Sequence, residues 1–294
     1  MIRTFTYEIG TEKEPVRIGD YLRKQGYSRN ILIHLKKTEG GILKNGEPVF
    51  VSMVLQPGDV LTVTLREEEG SEKIRPVAMD LDLVYEDEDI LIVNKPADMP
   101  IHPSIHNHEN TLANAVTAYY ENQGIPFVYR CINRLDRDTT GLLIIAKNML
   151  SASILADMLK SREIHREYLA IASGEVPPEG VIDAPIGRKE GSVIERCVDF
   201  EKGERAVTRY RRVAYKNGYS LVSLKLETGR THQIRVHMKY LGYPLIGDFL
   251  YNPDYRLMNH QALHSYHLSF LHPITGQPME FTAEPPWDQK FFSL

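Results

Sequence analysis

The sequence predicts an α+β protein in which a small N-terminal α/β domain precedes a larger domain with a mixed, largely antiparallel sheet. The chain has 294 residues, more than one hydrophobic core usually accommodates. Several segments alternate apolar and polar residues over the length of a strand. The order of elements shows neither a regular βαβ rhythm nor a glycine-rich phosphate loop, which disfavours a doubly wound nucleotide-binding fold.

The composition is that of a globular protein and excludes several other classes. Hydrophobic residues make up 42% of the chain and charged residues 25%, which are ordinary values. No apolar run approaches the roughly 18 residues of a membrane span, and residues 1–15 lack the apolar core of a signal peptide. We therefore expect a cytoplasmic protein without a membrane partner. The two cysteines, Cys131 and Cys197, are far apart and outside any CxxC motif, which argues against a disulfide framework and a structural zinc site.

Residues 1–70 predict a compact helix-helix-hairpin domain. Helical patterns cover residues 16–25 and 28–39, with Ser28 as the N-cap of the second. The sequence KNGE at 44–47 is a hairpin signal and PGD at 57–59 is a turn. The charged stretch 66–76, which is closed by a proline, predicts a linker to a second domain at 71–294.

The second domain alternates strand and helix patterns. Two strands are predicted around a turn at 87–89, and further strands at 142–148, 167–176 and 219–229. Helices are predicted at 110–124 with Asn110 as N-cap, at 151–162 with Ser151 as N-cap, and at 231–242.

Charge is concentrated in one segment of this domain. The whole chain has a net charge of -4, yet residues 203–240 contain nine basic and two acidic side chains. Such a stripe can contact phosphates, although a solvated charged face is the commoner meaning.

Four charges stand directly before a buried strand in the segment NRLDRDTTGLLII, residues 133–145. Surface ion pairing is the simplest interpretation. A second one treats Asp136-Arg137-Asp138 as a D-x-D motif that holds a divalent metal in a glycosyltransferase. That signal is weak, because a hard cation usually needs more oxygen ligands nearby and no further acidic cluster follows closely.

A third interpretation comes from five segments taken together. They resemble, in order, the motifs of the RluA-type family of pseudouridine synthases, and they are DLVYEDEDILIVNKP, RLDRDTTGLLIIAKN, HREYLAIASG, ETGRTHQIRVHM and GYPLIGDFLY. The N-terminal domain resembles the S4 RNA-binding module at 17–22, 28–29, 44–46 and 57–59. The two resemblances together cover nearly the whole chain and imply a pseudouridine synthase fold behind an S4-like domain.

The resemblance implies a role for three residues. Asp136 is the nucleophilic carboxylate, which attacks either C1′ of the ribose or C6 of the uracil. Arg235 is the cation that keeps this carboxylate ionised in a water-poor pocket. Tyr168 stacks against the detached uracil, and its phenol can reach C5 for the final proton removal.

The resemblance also implies contacts with RNA. Arg134 enters the space that the displaced base vacates. Arg137 meets phosphate or a neighbouring carboxylate, and Lys95 contacts phosphate or lies in an exposed turn. Further candidates for phosphate contacts are Arg29, Lys36, Lys37 and Arg230.

Some positions depart from the family pattern or allow other interpretations. Asn133 stands where many members have His, and Asp98 where they usually have Gly, so loop shape and substrate choice are in question. His102, His106 and His108 are spaced for a zinc site but lack an obvious fourth ligand, which favours RNA contacts or surface positions. His232 and His237 flank Arg235, and packing or positioning is the simplest interpretation of both.

We therefore expect a monomeric RNA pseudouridine synthase that needs no cofactor and no metal. The S4-like arrangement favours large-subunit ribosomal RNA as its substrate, with transfer RNA as the alternative. A non-catalytic RNA-binding or ribosome-assembly factor with the same fold is a further alternative, although it would have no need of Asp136, Tyr168 and Arg235 together.

Overall fold

The computed structural model describes residues 1–11, 14–105, 107–253 and 257–287. No helix in these ranges is long and apolar enough to cross a membrane.

The described residues form five helices and seventeen strands. The helices are α1 (Ile18–Lys24), α2 (Arg29–Lys37), α3 (Leu112–Glu121), α4 (Met149–Ser161) and α5 (Gln233–Tyr240). The strands before α3 are β1 (Ile2–Glu8), β2 (Val16–Arg17), β3 (Ile42–Lys44), β4 (Glu47–Pro48), β5 (Val54–Leu55), β6 (Val60–Arg66), β7 (Asp82–Glu86) and β8 (Ile90–Lys95). Those after it are β9 (Thr140–Ala146), β10 (His165–Ser173), β11 (Glu179–Asp183), β12 (Ile186–Arg188), β13 (Arg196–Val198), β14 (Val207–Lys216), β15 (Tyr219–Leu226), β16 (Leu263–Leu271) and β17 (Pro278–Thr282).

The N-terminal unit packs α1 and α2 against a four-stranded sheet of order β1-β6-β3-β4. Ser28 caps α2 as predicted, since its side chain accepts from the Ile31 amide. The predicted hairpin joins β3 to β4 through Asn45 and Gly46, both with positive φ, at 52° and 86°. Two consecutive residues of this kind match a type I′ turn, which fits the twist of the paired strands.

The N-terminal unit is attached to the rest of the chain by more than a linker. Arg3 in β1 donates to both carboxylate oxygens of Asp89, at 3.0 and 2.9 Å. Leu150 of α4 is buried in the apolar core of the unit. The predicted linker is itself bonded to the larger unit, because the Ser71 amide donates to the Phe127 carbonyl at 3.1 Å. These contacts hold the two units in a fixed relation.

The larger unit contains a nine-stranded sheet. Its order is β11-β14-β15-β10-β16-β9-β8-β7, with β17 added beside β16. Every pairing is antiparallel except that of β16 with β9, which is parallel. The α+β class with a largely antiparallel sheet is therefore confirmed.

The central strands are apolar throughout because both of their faces are covered. Leu91 and Val93 of β8 pack with α3 on one face, whereas Ile90 and Ile92 pack with α4 on the other. Successive side chains of a strand point to opposite faces, so an uninterrupted apolar run is what a doubly covered strand requires. A third cluster joins α5 to β10 and β15 and extends the covered sheet toward the site described below.

Two helix caps differ from the prediction. The N-cap of α3 is Thr111 rather than Asn110, because Thr111 forms a reciprocal capping box with Asn114. The N-cap of α4 is Asn148 rather than Ser151, since the Asn148 side chain accepts from two amides of the first turn. Both helices begin within three residues of the predicted caps.

Gly141 makes the parallel pairing of β9 with β16 possible. Its φ is +108°, a conformation that side chains with a Cβ rarely adopt. An added Cβ would lie 2.6 Å from the backbone nitrogen of Ser265 and closer still to its carbonyl oxygen. The backbones of β9 and β16 are therefore so close at this point that only a glycine fits.

We expect Gly141→Ala to destabilise the protein more than Gly124→Ala. Gly124 also has positive φ, at 70°, but an added Cβ there meets nothing within 4 Å. Strain alone costs about 1 to 3 kcal/mol, and forcing β16 away from Gly141 adds about 1 to 3 kcal/mol more. Urea denaturation of the two variants measures the difference, and equal losses would show that β9 and β16 separate freely.

Candidate active site

The loop that enters β9 is fixed at both ends. Asn133, only 1% exposed, accepts from the Ile144 amide at 2.9 Å and thereby ties the loop to the strand. The Thr139 amide donates to the Asp136 carbonyl at 3.1 Å and closes a turn through Arg137 and Asp138. The segment therefore turns after Asp136 instead of continuing as an extended chain. Asp136 lies on this turn at the entrance of the strand.

Helix α5 brings Arg235 against Asp136, its predicted partner. Arg235 Nη1 donates to Asp136 Oδ2 at 2.9 Å. The other side of the guanidinium forms a two-point contact with Asp248, with Nε to Oδ2 at 2.7 Å and Nη2 to Oδ1 at 2.8 Å. The side chain of Arg235 is 3% exposed and that of Asp248 0%, whereas Asp136 keeps 26%. Asp136 is thus the open end of a carboxylate-guanidinium-carboxylate chain.

The electrostatics of this chain favour a permanent cation at its centre. Burial lowers the pKa of Arg235, but the hydrogen bonds and charges of Asp248 and Asp136 outweigh burial and leave that pKa above its ordinary value. Tyr251 adds an aromatic face 5.0 Å from the guanidinium carbon. The charge facing Asp136 is therefore the same at any ordinary pH.

Tyr168 completes the set of three residues that the sequence singled out. It follows a register shift in the pairing of β10 with β16, at the step from Glu167 to Tyr168, and only 3% of its surface is exposed. Tyr168, Asp136 and Arg235 line one cavity of about 60 Å³. The structure thus brings together residues that are 99 positions apart in the sequence.

A larger groove of about 1040 Å³ adjoins this cavity, and Arg134 and Tyr168 line both. Arg162 and Arg166 line the groove as well. Arg162 ends α4 with a left-handed backbone, φ 66°, where glycine is the usual residue. No described residue forms a hydrogen bond or an ion pair with the side chains of Arg134, Arg162 or Arg166. Arg162 and Arg166 were not predicted from the sequence, because only the fold brings them to this groove.

The two histidines of α5 have different environments. His237 is fully buried and bonds Thr208 Oγ1 at 2.8 Å and the Ala184 carbonyl at 2.9 Å, so packing is the correct interpretation. His232 instead lines the cavity, with Nε2 at 3.9 Å from Asp136 Oδ2. Asp248 had no predicted role either, although a single charge inside the apolar run PLIGDFLY is a signal that could have pointed to it.

The prediction for Lys95 needs correction. Its side chain neither contacts phosphate nor lies in an exposed turn, because it is 1% exposed and donates to the carbonyls of Pro96 and Arg137, at 2.6 and 2.8 Å. Burial lowers the pKa of Lys95 to about 7, against the opposing charges of Asp138 and Asp136. Lys95 therefore stabilises the loop that contains Asp136 through its hydrogen bond to the Arg137 carbonyl.

The other predicted contacts are dispersed over the surface. Arg137, half exposed, pairs with Asp98 at 3.5 Å and with Asp138 at 3.3 Å, which is the carboxylate alternative of its prediction. Arg230 lines both cavity and groove and forms an ion pair with Glu204. The remaining three are exposed on α2 in the N-terminal unit and are Arg29, Lys36 and Lys37.

The metal-based alternative required Asp136 and Asp138 to share a cation. Each carboxylate instead pairs with an arginine, Asp136 with Arg235 and Asp138 with Arg137. Among the described residues, one group of acids and histidines is close enough to share a metal, and it consists of Asp87, Asp89 and His272, none of which lines the cavity. Of the histidines considered for zinc, His106 lies outside the described residues.

Comparison with known proteins gives one consistent result. The model of a family described as RNA pseudouridylate synthase matches residues 89–240. The "Uncharacterized RNA pseudouridine synthase YjbO" of Bacillus subtilis is 41% identical over 272 residues, 92% of this chain and 96% of its own. The "Ribosomal large subunit pseudouridine synthase D" of Escherichia coli is 40% identical over 238 residues, 76% of this chain and 72% of its own. The solved structure of "Human RNA Pseudouridylate Synthase Domain Containing 1" superposes with a TM-score of 0.61 at 26% identity, covering 76% of this chain and 89% of its own.

We expect Asp248→Asn to destabilise the protein by about 3 to 5 kcal/mol, the range for breaking a buried ion pair. The amide keeps the volume of the carboxylate but leaves part of the buried guanidinium without an acceptor. Asp136→Asn is the matched control on the same arginine and should cost less than about 1 kcal/mol, because this partner is partly exposed. Urea denaturation compares them. A larger loss for Asp136→Asn would show that Asp248 is not the main anchor of Arg235.

Proposed function

Because the chain belongs to the RluA-type family of RNA pseudouridine synthases, it is an isomerase that acts on uridines in RNA, and we propose that Asp136 is its nucleophile and large-subunit ribosomal RNA its substrate. The observation that carries the proposal for Asp136 is its ion pair with buried Arg235 at the wall of a cavity that Tyr168 also lines.

The two oxygens of Asp136 are not equivalent. Arg235 donates to Oδ2, and no described residue donates a hydrogen bond to Oδ1. A carboxylate held in this way keeps one oxygen free for attack on carbon and can later leave again, as carboxylates do in glycosidases. The fixed charge of Arg235 pairs with this carboxylate in the partly buried site.

The reaction then needs no group from outside the chain and the RNA. Attack of Oδ1 on C1′ breaks the C1′–N1 bond and leaves its electrons on the uracil, which turns so that C5 faces C1′. C5 then displaces the carboxylate from C1′, and the ring is restored when C5 loses its proton and N1 gains one. Attack at C6 of the uracil is the alternative first step, and the open oxygen of Asp136 serves either.

Tyr168 is the proposed support of the detached uracil. Its nearly buried ring forms one wall of the cavity that Asp136 enters from another side. An aromatic wall holds a planar base by stacking without fixing its rotation, which suits a base that must turn. The phenol is the proposed acceptor, direct or through a water, of the C5 proton.

The groove that leads to the cavity is lined by several arginines. Arg134 stands where groove and cavity meet, and it is exposed and has no hydrogen-bond or ion-pair partner in the described part of the chain. This supports the proposal that it replaces the flipped base in the RNA stack. Arg162 and Arg166 extend the unpaired cations along the groove. A left-handed arginine costs free energy that a glycine would save, so its retention favours a role in binding phosphate.

Residues 1–70 are the proposed S4-like RNA-binding domain, and residues 71–294 the catalytic domain. The exposed Arg29, Lys36 and Lys37 on α2 give the N-terminal unit a cationic surface. Because Arg3 and Asp89 tie the units together, RNA bound to α2 would lie at a set distance from Asp136.

Ribosomal RNA is favoured over transfer RNA because relatives at about 40% identity are named for the ribosomal large subunit. We accordingly propose a cytoplasmic location for the protein. Asp136, Arg235 and Tyr168 meet in one cavity without a second chain, and we propose that the protein acts as a monomer. A binding-only factor is disfavoured because it has no need of Asp136, Arg235 and Tyr168 in one cavity.

We expect Asp136→Asn to abolish pseudouridine formation while RNA binding stays within about threefold of wild type. The amide retains the shape of the side chain but cannot act as the nucleophile. Tritium release from [5-³H]uridine in a bacterial large-subunit ribosomal RNA transcript measures the reaction, and filter binding measures the affinity. Asp138→Asn is the control, since it removes the same charge from the same loop and should keep the rate within about tenfold. Substantial tritium release by Asp136→Asn would disprove the assignment.

Deletion of the gene should remove at least one pseudouridine from large-subunit ribosomal RNA and none from transfer RNA. Site-by-site mapping of both RNA classes, with and without the gene, gives the answer. A plasmid copy of the wild-type gene should restore the site, and a copy with Asp136→Asn should not. A loss of pseudouridine from transfer RNA alone would show that transfer RNA, and not ribosomal RNA, is the substrate.

A further inference from the structure

His232 stands at an unusual point of the active site. It precedes the first residue of α5 and has a left-handed backbone, φ 57° and ψ 20°. A residue with a full side chain is strained in this conformation, and such strain is found where the position of the side chain matters. Its imidazole is directed into the cavity that contains Asp136.

The hydrogen bonds around Tyr251 determine which nitrogen of His232 carries the proton. Tyr251 Oη accepts from the Arg196 amide at 2.9 Å and lies 2.8 Å from His232 Nδ1. The tyrosine is only 2% exposed, and within the described part of the chain Nδ1 is the one acceptor that its hydroxyl proton reaches. A buried hydroxyl normally donates to a partner. Nδ1 is therefore the acceptor, and in the neutral ring the proton is on Nε2.

The protonated nitrogen faces the proposed nucleophile. Nε2 lies 3.9 Å from Asp136 Oδ2, the same oxygen that Arg235 contacts at 2.9 Å. Burial lowers the pKa of His232, and Arg235 and Arg196 lower it further while Asp136 and Asp248 oppose them. The neutral ring, with its donor toward Asp136, is thus the form present near neutral pH.

We propose that His232 is a positioning residue whose Nε2–H donates to Asp136 Oδ2 once RNA fills the cavity. Donors in an empty active site are often too long and shorten in the substrate complex. Arg235 and His232 would then both donate to Oδ2, and Oδ1 would point at the nucleotide. This inference rests on the proposed role of Asp136 as nucleophile.

Two amide substitutions separate this role from a merely structural one. The amide nitrogen of glutamine can take the place of Nε2, whereas that of asparagine reaches only the place of Nδ1. We expect His232→Gln to keep the single-turnover rate of tritium release within about fivefold of wild type, and His232→Asn to lose roughly 10- to 100-fold, the factor for one hydrogen bond to a charged group. The substrate is the transcript on which the wild-type enzyme is active.

The backbone makes the opposite prediction, which sharpens the test. Asparagine tolerates the left-handed conformation better than glutamine. If His232 served only the fold, His232→Asn would therefore be the more stable and the more active variant. Thermal unfolding of both proteins measures the stability effect separately from the rate.

The rates of the two variants distinguish a donor role of His232 from a purely structural one. A much higher rate for His232→Gln than for His232→Asn, at similar RNA affinity, supports the donor role. Equal rates in the two variants, or a higher rate for His232→Asn, overturn it. If Asp136→Asn is inactive in the same assay, such a result refutes the role of His232 alone, whereas an active Asp136→Asn refutes the nucleophile on which it rests.

Discussion

The site depends on one interaction, the guanidinium of Arg235 held between the carboxylates of Asp248 and Asp136. A lone buried arginine would be costly, and Asp248 alone compensates it with two short hydrogen bonds. The pair of Arg235 and Asp248 is then close to neutral as a unit, so the charge of Asp136 is not needed to stabilise the arginine. Asp136 can consequently remain partly exposed and take part in chemistry without disturbing the fold around it.

The sheet supplies the rigidity on which this interaction relies. Arg235 is placed by α5, whose apolar residues pack on β10 and β15, and Asp136 is placed by the entrance of β9. The parallel pairing of β9 with β16 joins these two parts of the sheet, and it passes through Gly141. The distance between Arg235 and Asp136 is therefore fixed, because a change in it would require breaking the pairing of strands at the centre of the sheet.

Local features of the fold were predictable, whereas tertiary ones were not. The turn at Asn45 and Gly46 and the apolar strands around residues 90–93 follow from backbone preferences and periodicity, which act over a few residues. The caps Thr111 and Asn148 were missed by one and three positions because neighbouring polar residues competed for the same role. Lys95 was misjudged for another reason, since its acceptor at Arg137 is 42 residues away and becomes a neighbour only through the β8–β9 pairing. For the site, family motifs indicated Asp136, Tyr168 and Arg235. The roles of Asp248 and His232 depend on their distances to Arg235 and Asp136 in the folded chain, which the spacing of residues in the sequence does not reveal.

The distribution of cations suggests why binding and chemistry occupy separate places. Inside the cavity, the cation of Arg235 is fully engaged by two carboxylates. Along the groove, Arg134, Arg162 and Arg166 have no hydrogen-bond or ion-pair partner among the residues that the structure describes. An unpaired cation in contact with Asp136 would pair with that carboxylate and so compete with the reaction, whereas a cation at the rim, such as Arg134, can contact the RNA backbone at little desolvation cost. In the proposed mechanism, the arginines of the groove therefore bind the RNA, and the reacting group is Asp136, whose partner Arg235 is also bound by Asp248.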